Sequence, residues 1–520
     1  MDYSKAVGLN PKYNTFDLSH DKRLSLKMGE IVPVMAVDVL PGDKFTIETS
    51  HLTRMLPLVA PVMHNVKVKV RYFFSPNRLV WENWEDFITG PESATDTSEP
   101  VHPNIYIPSE PSSLADYLGV STSVHNNSTS VEVNALPFAH YQFIWNEYFR
   151  DQNLQSAKNY QLVNGGNTSN ADLVAKRRVA WKHDRFTSAL PFTQKGPEVT
   201  LPVLQSGTVA GAIDFKSSNL TQDTLYDVSS NNAVATQPIY GSQNGGLTDN
   251  TFDLALDNSQ NLLIDRSALQ ASAATINELR EAFAIQKWLE LNARTGNRYT
   301  EHIEAHFGVK AQDARLQRPE EFGGSVGTIQ FSEVLQTSQT TTSGSDASAL
   351  GQLGGHGITA QGSRKASYYA QEHGWIFALM YVVPDTTYSQ GVPAKFSKVD
   401  RYDYYQPLLA HLGEQPVLNK ELFANGNTSQ MGGIFGYLPI YDEYRHELNT
   451  VHGLMKTDLE YWHLGRKFSS LPALNDSFVK CLPSDRIFVE EDGAEQVIAH
   501  VYNDMKVQRK IPYYGTPLGV

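Results

Sequence analysis

The segments that read as β-strand sit at both ends of this chain, and that placement restricts the fold more than any other feature of its 520 residues. Near the start, NVKVKVRYFF (65–74) alternates cleanly, with Val66, Val68 and Val70 on one face and Lys67, Lys69 and Arg71 on the other. Just before it, EIVPVMAVDVLPGDKFTIET reads as an apolar run, a turn at Pro41-Gly42-Asp43 and a second extended run. At the far end, VIAHVYNDMKVQRK (497–510) sets Ala499, Val501, Met505 and Val507 against Tyr502, Asp504, Lys506 and Gln508. HGWIFALMYVVPD (373–385) is apolar at nearly every position, as a strand buried on both faces requires. Antiparallel sandwiches closed by their first and last strands have this layout. A βαβ rhythm is missing, which excludes a parallel α/β fold.

The material between the strands is unlike them. TINELREAFAIQKWLELNARTGN predicts a helix with Thr275 as N-cap, Glu278 completing a capping box and Gly296 at its end. Its apolar residues spread round the cylinder, so it is expected to be covered on more than one side. Residues 205–271 are rich in Ser, Thr, Asn, Gln and Gly, punctuated by Phe215, Tyr226, Ile239 and Tyr240. Such a segment reads as an exposed, semi-independent projection. A second polar tract, 337–363, reads as a long loop. The expected organisation is a sandwich core in 1–204 and 272–520, with 205–271 inserted as a surface domain.

Charge narrows the function. The chain carries 43 basic and 56 acidic residues, a net charge of −13. A protein that coats phosphates alone leans basic, so any nucleic-acid role must be local or shared with a basic partner. One cysteine, Cys481, excludes an internal disulfide framework and a Cys-based zinc site. The N-terminal segment has no apolar core of signal-peptide length and no window reaches a membrane span, so a soluble, intracellularly made protein is expected.

Tests for chemistry are mostly negative. His302 and His306 in EHIEAH have the spacing of two helical metal ligands, yet the Glu is misplaced for a zincin and FGV supplies no third ligand. LGGHGITAQG lacks the G-K-[ST] of a phosphate cradle and reads as loop. G-x-S-x-G does not occur. Carboxylates such as those of EEDGAE are plentiful, but nothing selects a glycosidase pair. No catalytic residue, metal ligand or cofactor is assigned. ALPFAHYQFIWNEYFRDQNL (135–154) could offer His140, Glu147 and Asp151 for acid–base work. Helical spacing instead puts Tyr141, Ile144, Trp145 and Tyr148 on one broad side, with Arg150 beyond, and predicts a structural wedge within the core or between subunits. AKRRVAWKHDR gathers Lys176, Arg177, Arg178, Lys182 and Arg185 around Trp181, either a solvated surface or a phosphate-contacting patch with a stacking aromatic. Lys67, Lys69 and Arg71 form a second such cluster, and Lys506, Arg509 and Lys510 a third.

Taken in order, NALPFAHYQFIWNEYFRDQNL, KHDRFTSALPFTQKGPEV, TINELREAFAIQKWLELNARTGNRYTEHIEAHFGV, DARLQRPEEFGG, EHGWIFALMYVVPDTTYSQG, DYYQPLLAHLGEQPV, WHLGRKF, PALNDSF and the terminal PYYGTPLGV resemble the major capsid proteins of the Microviridae, small tailless single-stranded-DNA phages, most closely the gokushovirus branch. The departures are modest: Gly465-Arg466 stands where an Ala-Gln-like pair is expected, and the 135–149 segment is unusually aromatic. The resemblance implies an all-β fold, an eight-stranded antiparallel viral jelly roll with long inter-strand insertions and a few helices. It implies pentamers and a sixty-copy T=1 icosahedral shell around circular ssDNA, assembled in the bacterial cytoplasm. It implies partners too: a small basic DNA-packaging protein, which would account for the acidic shell, a pilot or minor spike protein, and a host-surface receptor. Residues 205–271 fall where this branch carries a loop that clusters at the three-fold axes. The alternative is a carbohydrate-binding or glycoside-hydrolysing β-sandwich, which explains strands, aromatics and carboxylates but not the ordered motifs.

Overall fold

The computed structural model describes residues 12–90, 99–107, 110–120, 131–197, 199, 226–227, 254–255, 276–296, 298–337, 351, 353–489 and 495–514. They fall into two compact units, one drawn from 1–193 and 292–520 and the other from 194–291. In the first unit, eleven strands build two antiparallel sheets: β1 (Asn14–Asp17), β2 (His20–Leu26), β3 (Val32–Val39), β4 (Lys44–Met55), β5 (Val66–Pro76), β6 (Glu320–Thr328), β7 (Gln330–Leu335), β8 (Leu353–Gly362), β9 (Ala366–Tyr369), β10 (Gly374–Pro384) and β11 (Val497–Arg509). The larger sheet runs β1–β11–β4–β8–β7, with β2 also on β11 and β9 also on β4. The smaller runs β6–β5–β10–β3.

Alternation in the sequence explains how the sheets meet. Val66, Val68, Val70, Tyr72 and Phe74 of β5 share one apolar core with Phe45 and Ile47 of β4 and Ala499, Val501, Met505 and Val507 of β11. Each large apolar side chain removed from water there contributes about 1.5–3 kcal/mol. The last strand, β11, pairs with β2 through Val497↔Leu26 and with β4 through Val497↔Met55, so the chain's beginning and end close one sheet. The turn at Gly42 adopts a positive φ of 91°, and its N–H donates to Ala370 O at 2.8 Å.

Strand β10 is buried on both faces, as its unbroken apolar run predicts. Ile376, Ala378, Met380 and Val382 face the inter-sheet core. Phe377, Leu379 and Tyr381 face a second core, built with Phe73 of β5 and the helix α1 (Leu136–Tyr148). A third cluster is built by Tyr388, Val417, Leu422, Phe435 and Phe478 of the long connection between β10 and β11, together with Phe186.

Two expectations need revision. The Gly-rich stretch LGGHGITAQG is not loop: it is β8, paired with β4 through Ile358↔Arg54 and with β7 through Gly355↔Glu333. Glycine is depleted in strands on propensity, but here the backbone of Ala60–Pro61 crosses so closely that a Cβ on Gly355 would overlap it. The helix α2 (Ile276–Thr295) forms and ends before Gly296, whose φ is +96°. Ile276, Phe283 and Ile285 on it stand exposed, so the cover expected for its several apolar sides is not supplied at those positions. Thr275, the expected cap, lies outside the described residues.

Of the second unit, Lys195 donates its backbone N–H to Leu289 O, and Gln286 bonds to Gln194. Tyr226–Asp227 pairs antiparallel with Leu254–Ala255. Phe215, Ile239 and Tyr240 lie outside the described residues.

Candidate functional site

The aromatic helix α1 is the first place to look for chemistry, and its surroundings answer against it. Every residue from Phe138 to Asn146 is buried, so cover extends round the helix rather than along one side. The phenol of Tyr141 donates to Ile31 O (2.8 Å) and accepts from the Arg177 backbone N–H (2.9 Å), and Trp145 Nε1 donates to Arg178 O (2.9 Å). Ile144 is sealed in the second core. Tyr148 donates to Asp313 Oδ2 at 3.0 Å and packs on Phe73, and Arg150 Nη1 donates to Gln155 O at 2.8 Å. His140 is wholly enclosed, its ring nitrogens 2.7 Å from Ser75 Oγ and 2.9 Å from Asn77 Oδ1. Burial pushes its pKa down to about 3, so the imidazole stays neutral and is no general base for a solvent-borne substrate.

The cluster at 176–185 is largely spoken for by internal pairing. Lys176 and Arg178 both reach Glu30, at 2.8 and 3.3 Å. Arg178 also donates to Met28 O, and Arg177 pairs with Asp172 at 3.0 Å while donating to Gln142 Oε1. Arg185 is 4% exposed between Glu421 (2.9 Å) and Asp442 (3.0 Å). Lys182, by contrast, is exposed.

Lys69 of the strand cluster lies within electrostatic reach of Lys182. Lys67 pairs with Asp385 at 3.0 Å, and Arg71 donates Nε to Glu321 Oε1 at 2.7 Å while lying over Phe73, Tyr148 and Phe149. Lys69, between them on the same face of β5, has its ammonium over the Tyr381 ring at 5.9 Å. Its pKa is lowered, first by burial and then by repulsion from Lys67, Arg71 and Lys182. Crowded cations with only two nearby carboxylates make a local anion-attracting surface on an acidic chain. The third cluster is looser: Arg509 is bound to Asp43, and Lys510 lies over the Tyr13 ring.

His302 and His306 sit on the helix α3 (Tyr299–Phe307) with ring centroids 4.2 Å apart, and His306 Nε2 is 2.7 Å from Asn292 Oδ1. Among the described residues no three His, Cys, Asp or Glu side chains are grouped to hold a metal ion, and no helix is long and apolar enough to cross a membrane. Cys481 is buried, which raises its thiol pKa and leaves it inert. Sequence reading missed Arg466, whose guanidinium lies over Trp181, Tyr388, Phe468 and Phe478 and donates to Phe478 O at 2.7 Å. The unusual Gly465-Arg466 pair was its signal.

Architecture and polar chemistry together define a class: an antiparallel β-sandwich with long insertions, whose candidate cationic clusters are largely paired within the fold. Comparison with known proteins makes this specific. The family described as Capsid protein (F protein) matches residues 9–518. Capsid protein VP1 of Bdellovibrio phage phiMH2K is 33% identical, with 99% of this chain and 97% of that protein covered. The VP1 proteins of Chlamydia phage 1 and Spiroplasma virus 4 are each 31% identical at the same coverage. The chain therefore belongs to the Microviridae capsid (F) protein family. It is a structural, non-enzymatic component of a virion, a member of a family that self-assembles into a multi-copy shell, and the glycosidase alternative falls.

Proposed function

We propose that this chain is a viral jelly roll, sixty copies of which close a T=1 icosahedral shell around circular single-stranded DNA. The observation that carries the fold reading is strand order. Taking β2, β3, β4, β5, β6, β8, β10 and β11 as the eight strands, one sheet runs β2–β11–β4–β8 and the other β3–β10–β5–β6. That is two four-stranded antiparallel sheets whose neighbours are distant in sequence, with β1, β7 and β9 as additions. The decisive experiment is sedimentation velocity on the purified chain with electron microscopy of the same fractions. Pentamers or shells of sixty are expected. A folded monomer that stays monomeric at high concentration, with or without the phage's other capsid components, would sink the reading.

Genome contact is assigned to Lys69 and Lys182, with Lys176, Arg177, Arg178 and Arg185 given structural roles through their pairs with Glu30, Asp172, Glu421 and Asp442. The net charge of −13 supports a division of labour in which a small basic packaging protein neutralises most of the DNA. A pilot or minor spike protein and assembly in the bacterial cytoplasm complete the proposed setting. Residues 205–271 are proposed as the three-fold projection that meets the host receptor, with Phe215, Tyr226, Ile239 and Tyr240 as its apolar points. Deleting 210–265 should leave particles intact and abolish adsorption; unchanged adsorption would remove this assignment.

A further inference from the structure

The connection between β10 and β11 carries a surface that the fold does not use. Across 394–412 the chain makes three short helices (Ala394–Phe396, Arg401–Asp403 and Pro407–His411) and turns an unusual number of large side chains outward. Val399 is 94% exposed and Leu408 89%; Phe396, Tyr402, Tyr404 and Leu412 are exposed beside them. Scattered exposed hydrophobics need no explanation, whereas this many in one short segment marks an interaction surface.

The segment is also held in one shape. Tyr441, buried beneath it, accepts from the Gln406 N–H (3.2 Å) and donates to Tyr404 O (3.3 Å), with its ring 5.1 Å from that of Tyr405. Tyr441 has φ 62° and ψ 27°, a left-handed conformation that a bulky residue adopts at a cost and that persists where the surroundings over-determine it. Its neighbour Asp442 is fixed by the buried Arg185. Lys398 pairs with Glu443 at 3.2 Å and lies over the Tyr444 ring at 3.7 Å. A preorganised apolar surface loses little entropy on docking, the condition under which buried area converts into affinity.

We propose that the 394–412 surface is a subunit interface, covered in the shell by a second copy of this chain. Charge selects that occupant. Lys395 and Lys398 are paired with Glu447 and Glu443, and Asp400 and Asp403 offset Arg401, so the patch has no excess of cations for a nucleic acid and little charge to repel an acidic copy. Tyrosine and aliphatic groups round a desolvated centre are the composition of protein–protein contacts. The family's multi-copy shell supplies the identical partner.

The test uses thiols. The native Cys481 is buried, so Val399→Cys and Leu408→Cys each introduce an accessible one. In phage carrying either variant, maleimide should label dissociated subunits readily and intact particles roughly tenfold or more slowly, because a specific interface excludes solvent from its centre. Equal labelling overturns the proposal. Leu408→Asp, at a site with no fold role, should leave the subunit's thermal unfolding unchanged and reduce particle yield. Undiminished yield overturns it, and intact particles that no longer adsorb would reassign the patch to the host surface. A chain that forms no particles even unsubstituted would instead defeat the shell reading on which the proposal rests.

Discussion

Arg185 shows how one residue's role depends on depth. In sequence it is one of five cations near a tryptophan, with nothing to separate it from Lys182. In the fold it is buried between Glu421 and Asp442. Arg185→Ala leaves Glu421 without its buried cation and Asp442 with only His446, at 3.0 Å, and should cost about 3–5 kcal/mol in denaturant unfolding of the subunit. Lys182→Ala, at an exposed site, should change stability by less than about 0.5 kcal/mol. His140 gives a pH dependence with a definite sign. Folded, its pKa is about 3; unfolded, it returns to the ordinary value near 6.5. Between those values the unfolded state binds the extra proton, so stability falls as pH drops below about 6.5, by about 2 kcal/mol at pH 5 from this residue. His51, His64 and His463 are lowered by burial too and act in the same direction. Site-resolved histidine C2 hydrogen exchange should find no titration of His140 between pH 5 and 8. Type and spacing predicted which residues were conspicuous, but pairing partners such as Glu421, more than two hundred residues away, are set only by the fold.

At the scale of elements, alternation was the dependable signal and composition the misleading one. Strand β5 was legible because Val66, Val68 and Val70 must leave water together; β10 was legible because its run lacks any polar face. Strand β8 was hidden because its glycines argue for loop, and their reason, the crossing backbone of Ala60–Pro61, lies in another part of the chain. Gly355→Ala should therefore cost about 1–3 kcal/mol by forcing that crossing apart, though alanine is the better strand residue on propensity. Equal thermal unfolding of Gly355→Ala and the parent chain would show that the crossing has room to give. Helix α1 was legible as aromatic and helical, but its all-round burial was not, since no spacing rule reports how many neighbours arrive. Ile144→Ala, at the centre of that cover, should cost about 2–5 kcal/mol.

The whole molecule sets an electrostatic problem: an acidic chain of net charge −13, proposed to enclose a polyanion. Uniform charge would repel the genome, so attraction must come from a few sites where cations outnumber their partners. The site proposed for this is Lys69 with Lys182, which the fold brings within electrostatic reach of each other although they belong to separate clusters in the sequence. Because Lys67 and Arg71 are already paired with Asp385 and Glu321, the surplus at this surface is small, and the expected affinity is modest with a correspondingly shallow salt dependence. Substituting Lys69→Gln and Lys182→Gln together should weaken binding of a single-stranded oligonucleotide to assembled shells uniformly across sequences. The slope of log affinity against log salt should become shallower by about 0.7 for each phosphate that the shell no longer neutralises. Arg178→Gln should instead destabilise the subunit through Glu30 and leave the salt slope unchanged once folding is allowed for. If the paired substitutions leave the slope as it was, the genome is held elsewhere. The surface beside Arg509 and Lys510, with Tyr13 beneath, would then be the next to change.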